Sequence, residues 1–232
     1  MNEATPQREF LGGLGAVLPL LVGAVPFGLI YGVLAVKAGI PPVLAIAIAS
    51  IVFAGSAQFM ITQLVAVGTP GILIVISVFI INLRHVLYSA ALADKLKHLN
   101  LTWKGLLAYL LTDEAYAAVL GRFDGEKRAA VRHWFLFGAG FGLWFVWQLS
   151  CIAGVLLGGQ IPARWSLEFA GSLTFIAIVV PLLRDRAAWM AMTVAGITAV
   201  AASALPYKLA IIAAALAGMA AGVLFERRER PA

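Results

Sequence analysis

The chain has 232 residues, 62% of them hydrophobic and only 12% charged, with a net charge of +6 and a mean hydropathy of +0.96. A soluble domain carries roughly 45–50% apolar and about 25% charged residues, so a water-soluble fold is excluded and an integral membrane protein is indicated. No G-x-x-x-x-G-K-[ST] run occurs and the connections leave no room for a nucleotide-binding domain, which argues against ATP hydrolysis by this chain.

The apolar runs are continuous rather than alternating, so helices and not a β-barrel are expected. The expected fold is an all-α, polytopic transmembrane helix bundle of about seven or eight helices, one or more broken by Pro or Gly, in a single domain over 1–232. Lys and Arg sit at the ends of apolar runs, where they set topology. The lipid bilayer is therefore the expected partner, and nucleic acid is not. Cys151 is the single cysteine, so no intrachain disulfide exists.

Residues 1–9 form a polar leader, and segment one covers about 12–36. Its Pro19, Pro26 and many glycines predict a break over Gly23–Gly28, because an interior proline removes a backbone donor and frees a carbonyl that then needs protein or water. Close packing through Gly28 and Gly32 is the competing reading. Segment two, about 43–67, carries Phe53-Ala54-Gly55-Ser56-Ala57-Gln58-Phe59, richer in small and polar groups than a lipid-facing helix requires. Gly55, Gln58 and Thr62 share a stripe at helical spacing.

Segment three, about 72–93, holds the most informative stretch. No Asp, Glu, Lys or Arg occurs from Ala38 to Leu83, and then Asn82-Leu83-Arg84-His85-Val86-Leu87-Tyr88 puts an arginine and a histidine into a run fit for lipid. A buried arginine costs several kcal/mol on insertion scales, so it faces protein or water. Segment four, about 105–121, contains Thr112-Asp113-Glu114, and pairing of one carboxylate with Arg84 is the simplest way to satisfy both. Segment five, about 134–158, is aromatic and glycine-rich, segment six covers about 165–183, and segments seven and eight, about 187–205 and 207–225, are Ala-rich scaffold.

With eight spans and the N-terminus inside, ten basic residues fall on inner segments and six, including Lys37, Lys95, Lys97 and Lys104, on outer ones. The majority places both termini in the cytoplasm, with the basic 94–104 loop as an exception. Gly13-Leu14-Gly15 against Gly138-Ala139-Gly140, and Gly39-Ile40-Pro41 against Gly158-Gly159-Gln160-Ile161-Pro162, hint at a duplication of 8–121 in 132–225.

Pro26-Phe27-Gly28 with Tyr31-Gly32, the Phe53–Phe59 run, Asn82-Leu83-Arg84-His85 with Leu87-Tyr88, and Leu111-Thr112-Asp113-Glu114-Ala115 together resemble the AzlC (YgaZ-type) family, large subunits of bacterial branched-chain amino acid exporters. The resemblance implies a multi-pass transport protein of the bacterial inner membrane, exporting valine, leucine and isoleucine, with methionine a further candidate. It also implies a small AzlD-type membrane subunit as partner. An amino acid zwitterion needs a donor for its carboxylate, an acceptor for its ammonium and a dry pocket. Arg84, or backbone donors near Pro26 and Gly28, are assigned to the carboxylate. Gln58, Asn82 and unwound carbonyls are assigned to the ammonium, while Phe27, Phe53 and Phe59 shape the pocket beside Gly55 and Tyr88.

Uphill export without ATP needs an ion gradient, and Asp113 or Glu114 is the expected proton carrier, with His85 second. The alternative for Asp113 is a permanent ion pair with Arg84. No cofactor or metal site is expected. The other classes are a channel or structural subunit and an intramembrane enzyme; for the latter no H-E-x-x-H or G-x-S-x-G occurs, and His85, His98 and His133 lie in separate segments.

Overall fold

Helix α1 (Pro6–Lys37) starts where the Thr5 side chain accepts from the Arg8 N–H, with Pro6 in the first turn. This computed structural model describes residues 5–120, 131–158, 183, 185–205 and 209–229, and their regular structure is helical throughout. After α1 come α2 (Pro42–Val52), α3 (Gly55–Ala66), α4 (Gly71–Leu96), α5 (Leu101–Leu110), α6 (Asp113–Leu120), α7 (Arg132–Gly158), α8 (Arg186–Ala201) and α9 (Leu209–Glu229). Among the described residues α1, α4 and α7 are long and apolar enough to cross a membrane, as the expected all-α bundle requires. The chain divides into two compact units, Met1–Thr62 with Ile81–Trp165, and Gln63–Ile80 with Ser166–Ala232.

In the first unit α1 and α7 lie side by side and point the same way. A Cβ at Gly138 would fall on the Phe10 carbonyl near their starts, and one at Gly154 on the Leu29 carbonyl near their ends. Gly13 and Gly32 are pressed in the same manner against the Phe135 and Cys151 carbonyls. In lipid, where burial of apolar surface gives little drive, such backbone contact supplies the attraction between helices. This seam is what the glycines of segment one serve, and the expected break over Gly23–Gly28 is corrected: α1 is unbroken through Pro19 and Pro26. Both prolines and Gly23 lie on its exposed face, while the opposite face stays in contact with α7.

The breaks fall in segments two and four instead, at Phe53-Ala54 between α2 and α3 and at Leu111-Thr112 between α5 and α6. Each pair folds back rather than crossing. His98 and Trp103, flanking the start of α5, pack on His133 and Trp134 at the start of α7, with ring centroids 4.9–6.3 Å apart. α5 then follows α7 until Leu110 meets Gly140. From that point α6 runs beside α4, Asp113 at Arg84 and Tyr116 at Tyr88, and α4 is heading back to His98. So α6 returns to the end from which α5 came.

The first hairpin is built the other way up. The short turn after Lys37 reverses the chain, and the Tyr31 hydroxyl donates to the Ala45 carbonyl at 2.9 Å as α2 comes back along α1. α3 then runs in the direction of α1, with Gly55 against Phe27, and Phe59 stacked on Phe27 at 4.5 Å and 6.1 Å from Tyr31. The two tips meet: the Tyr109 hydroxyl donates to the Ser50 carbonyl, and the Phe53 ring lies 5.9 Å from Tyr109.

α1–α2–α3 and α4–α5–α6 are thus two copies of a long helix plus a half-length hairpin, inverted with respect to each other. Their ends keep step, Lys37 with Leu96, Pro42 with Leu101, Val52 with Leu110 and Gly55 with Asp113, 58 or 59 residues apart each time. The 94–104 loop, expected opposite the N-terminus, lies at the same end as the start of α1, because the α2–α3 hairpin turns back before α4 crosses. Arg8, Lys95, Lys97, Lys104 and Arg132 gather at this basic end, and Lys37 is the one described Lys or Arg of the first unit at the other.

In the second unit Asp185 caps α8 by accepting from the Ala188 N–H at 2.7 Å. α8 and α9 form an antiparallel pair through small residues, Gly218 against Ala191 and Ala195 and Gly222 against Ala187 and Ala191. Segment six, the Gly158–Pro162 turn beyond Gly158 and most of the charged 122–133 loop lie outside the described residues, and with them part of the expected second copy 132–225.

Candidate functional site

The break in segment two frees carbonyls at the end of α2, and side chains from two other helices take them up. Gln148 Nε2 on α7 donates to the Ala49 carbonyl at 3.0 Å. Tyr109 on α5 donates to Ser50, and its oxygen in turn accepts from Trp144 Nε1 at 2.8 Å. The Ser50 hydroxyl donates to Gln148 Oε1 at 3.1 Å. Backbone left unpaired in lipid costs several kcal/mol per group, so these contacts are what permit a half-helix at this depth. Phe53 itself sits at φ 27, a left-handed conformation rare for a bulky residue. The break in segment four is capped from within, Thr112 Oγ1 accepting from the Ala115 N–H at 3.4 Å.

Arg84, on α4, joins the two breaks. One of its terminal nitrogens lies 2.6 Å from Asp113 Oδ2 in the first turn of α6, and the other donates to Ser56 Oγ in the first turn of α3 at 2.7 Å. Asp113 sits in the first turn of α6, at the positive end of its dipole. Around the pair, Arg84 Nε, Asp113 Oδ1 and Asn82 Oδ1 are buried atoms with no hydrogen-bond partner. His85 Nδ1 is 3.2 Å from the Asn82 carbonyl oxygen, and its ring is 6.0 Å from Tyr88, which stacks on Tyr116 at 4.5 Å.

A second cluster lies on the other side of α3. Gln58 is fully buried; its Oε1 accepts from Trp147 Nε1 at 2.9 Å while its Nε2 has no partner. Phe27, Phe59, Tyr31 and Trp147 pack about it, and a Cβ at Gly55 would stand 3.0 Å from the Phe27 ring and 3.1 Å from Trp147. The sequence-predicted residues therefore fall into two groups, Asn82, Arg84, His85, Tyr88 and Asp113 at the clasp, and Phe27, Gly55, Gln58 and Phe59 in the aromatic cluster, with Phe53 at the first tip. Three stand apart. Pro26 is on the exposed face of α1, Gly28 is committed to Ser150 and Cys151, and Glu114 is exposed and outside the ion pair.

Ser56, Tyr109, Trp147 and Gln148 are participants that the sequence reading missed. Among the described residues no group of three His, Cys, Asp or Glu could hold a metal ion.

The family model described as AzlC protein matches residues 19–161, which include both hairpins, the clasp and α7. The chain belongs to the AzlC family. It is 28% identical over 167 residues to the inner membrane protein YgaZ of Escherichia coli, covering 69% of this chain and 68% of that one. It is 31% identical over 223 residues to an uncharacterized membrane protein of Archaeoglobus fulgidus, covering 94% and 96% of the two chains. A Helicobacter pylori membrane protein is 24% identical over 198 residues, covering 81% and 85%. No solved structure matches. Within this AzlC-family chain, every residue of the clasp falls inside the matched region.

Proposed function

We propose that this AzlC-family protein is a secondary active exporter of branched-chain amino acids, exchanging a zwitterion for a proton across the bacterial inner membrane together with a small AzlD-type membrane subunit. The observation that carries the reading is the clasp at the meeting point of the two hairpins: a cation and an anion held together, with a spare donor on Arg84 and spare acceptors on Asp113 and Asn82. A zwitterion is the ligand whose two charges replace each partner of such a pair. Its carboxylate takes Arg84 bidentately and its ammonium takes Asp113, while the half-helix N-terminus at Ser56 adds positive potential for the carboxylate. The aromatic cluster around Gln58 packs the far side of α3 and holds that half-helix in position behind the clasp.

The sign of coupling follows from Asp113. The ammonium needs its ionised form, so proton and substrate compete for one carboxylate, and competition for one site produces exchange rather than co-transport. The basic end is cytoplasmic by the positive-inside rule. Nothing in this scheme makes or breaks a bond, so the protein is read as a carrier and not an enzyme.

Proteoliposomes holding the chain and its small subunit test the reading by counterflow of labelled leucine. A carrier accumulates label against unlabelled leucine, a channel does not trap it, and an enzyme releases altered product. In Asp113→Asn the response of leucine flux to an imposed pH difference is expected to vanish; an inserted variant with unchanged pH response removes Asp113 from coupling.

A further inference from the structure

Between α4 and α5, at the basic end, lies a cavity of about 440 Å³. Its floor is Leu92, Leu107, Leu111 and Leu136, all at least 96% buried, and its lining also takes in Asp94, Lys97 and Lys104, all exposed. We infer that this cavity is the loading vestibule of the carrier, binding a neutral amino acid with an apolar side chain before it passes to the clasp. The inference rests on the exporter reading above and adds a site to it.

The chemistry is selective. Two lysines meet a carboxylate, Asp94 meets an ammonium, and four leucines meet a branched aliphatic group, whereas a phosphate headgroup would set its charge against Asp94. The place is also specific. Leu111 is at the tip of the second hairpin, next to Thr112 and Asp113, and Ser89 on the cavity wall is one turn of α4 beyond His85.

The inverted repeat gives the cavity a counterpart, and that counterpart is closed. Leu92, Asp94, Lys104, Ala108 and Leu111 correspond to Val33, Ala35, Ala45, Ala49 and Phe53 at the same 58- or 59-residue spacing. These five are buried, and the Tyr31 hydroxyl ties α1 to Ala45 of α2 across the space that stands open in the other repeat. One repeat open and its mirror shut is the asymmetry an alternating-access carrier has when it faces one compartment. Here the open side is the basic end, from which an exporter loads.

The test uses the full chain in inside-out membrane vesicles with a cysteine in the cavity wall, Ala108→Cys, and a second on the facing wall, Ala93→Cys. The native Cys151 is fully buried, so the wild type is the unlabelled control. Leucine is expected to slow labelling of both cysteines by an impermeant maleimide at least threefold, in the parent and equally with Arg84→Gln. Isocaproate, lacking the ammonium, and isoamylamine, lacking the carboxylate, are expected to protect at least tenfold more weakly. Leucine counterflow by the unlabelled variants is followed in the same vesicles. Counterflow without protection overturns the vestibule and leaves the exporter reading standing, while protection without counterflow supports the vestibule and counts against the exporter. Slowing by added phosphatidylglycerol but not by leucine identifies a lipid crevice and overturns the inference.

Discussion

Arg84 makes two contacts at once, and only a forked cation can. Its planar guanidinium reaches Asp113 with one nitrogen and Ser56 with the other, so the first turns of α6 and α3 are fixed by a single side chain. Lysine offers one point of charge. Arg84→Lys is therefore expected to insert normally yet lower leucine export at least about tenfold, loss of a single tether being worth about 1.4 kcal/mol or more; initial rates in vesicles check it. Gln148 has the opposite profile, important for the fold and remote from charge. Gln148→Leu leaves the Ala49 carbonyl without its donor and is expected to cost about 1–3 kcal/mol, read as a lowered unfolding temperature in detergent. Arg84 and Asp113 were legible in the sequence because a charge in an apolar run has few innocent explanations. Ser56 and Gln148 were not, since serine and glutamine are ordinary packing residues until the broken backbone beside them is known.

At the scale of helices, the α1–α7 seam and the hairpin breaks use the same residue types for opposite ends. Gly154 lies against the Leu29 carbonyl, so Gly154→Val must push the two helices apart, at an expected cost of about 1–3 kcal/mol or more. Gly23 has nothing within 4 Å of where a Cβ would stand, so Gly23→Ala is expected to be neutral or stabilising by up to about 1 kcal/mol. Thermal unfolding of the two variants side by side separates seam from surface. Composition alone pointed to the wrong break because prolines on an exposed helix face look the same in sequence as prolines lining a cavity. The true break in segment four did carry a signature, Thr112 before two acidic residues, which is how a helix begins. The break at Phe53-Ala54 had none, since nothing about phenylalanine announces a left-handed φ.

For the molecule as a whole, the fold class was readable and the topology was not. A pair of half-helices separated by two residues has the length and hydropathy of one span, so α2–α3 and α5–α6 pass for crossings. The contacts of His98 and Trp103 with the start of α7, and of Tyr116 with Tyr88, show that the chain has turned back. The consequence is measurable: an impermeant thiol reagent is expected to reach Lys97→Cys from the cytoplasmic face and Lys37→Cys from the other. Labelling of both from one face would restore two through-going spans. The basic loop that was an exception to the charge rule becomes its strongest support, with Arg8, Lys95, Lys97, Lys104 and Arg132 on one side.

Beyond the hairpin tips the shut repeat is packed, with Tyr31 tied to Ala45, and an insulating layer takes most of the applied voltage. A charge crossing it gains about 2.3 kcal/mol per 100 mV. Swapping an electrically neutral amino acid for one proton moves one net charge, so a potassium diffusion potential, negative inside and with no acidity difference at all, should by itself drive leucine outward.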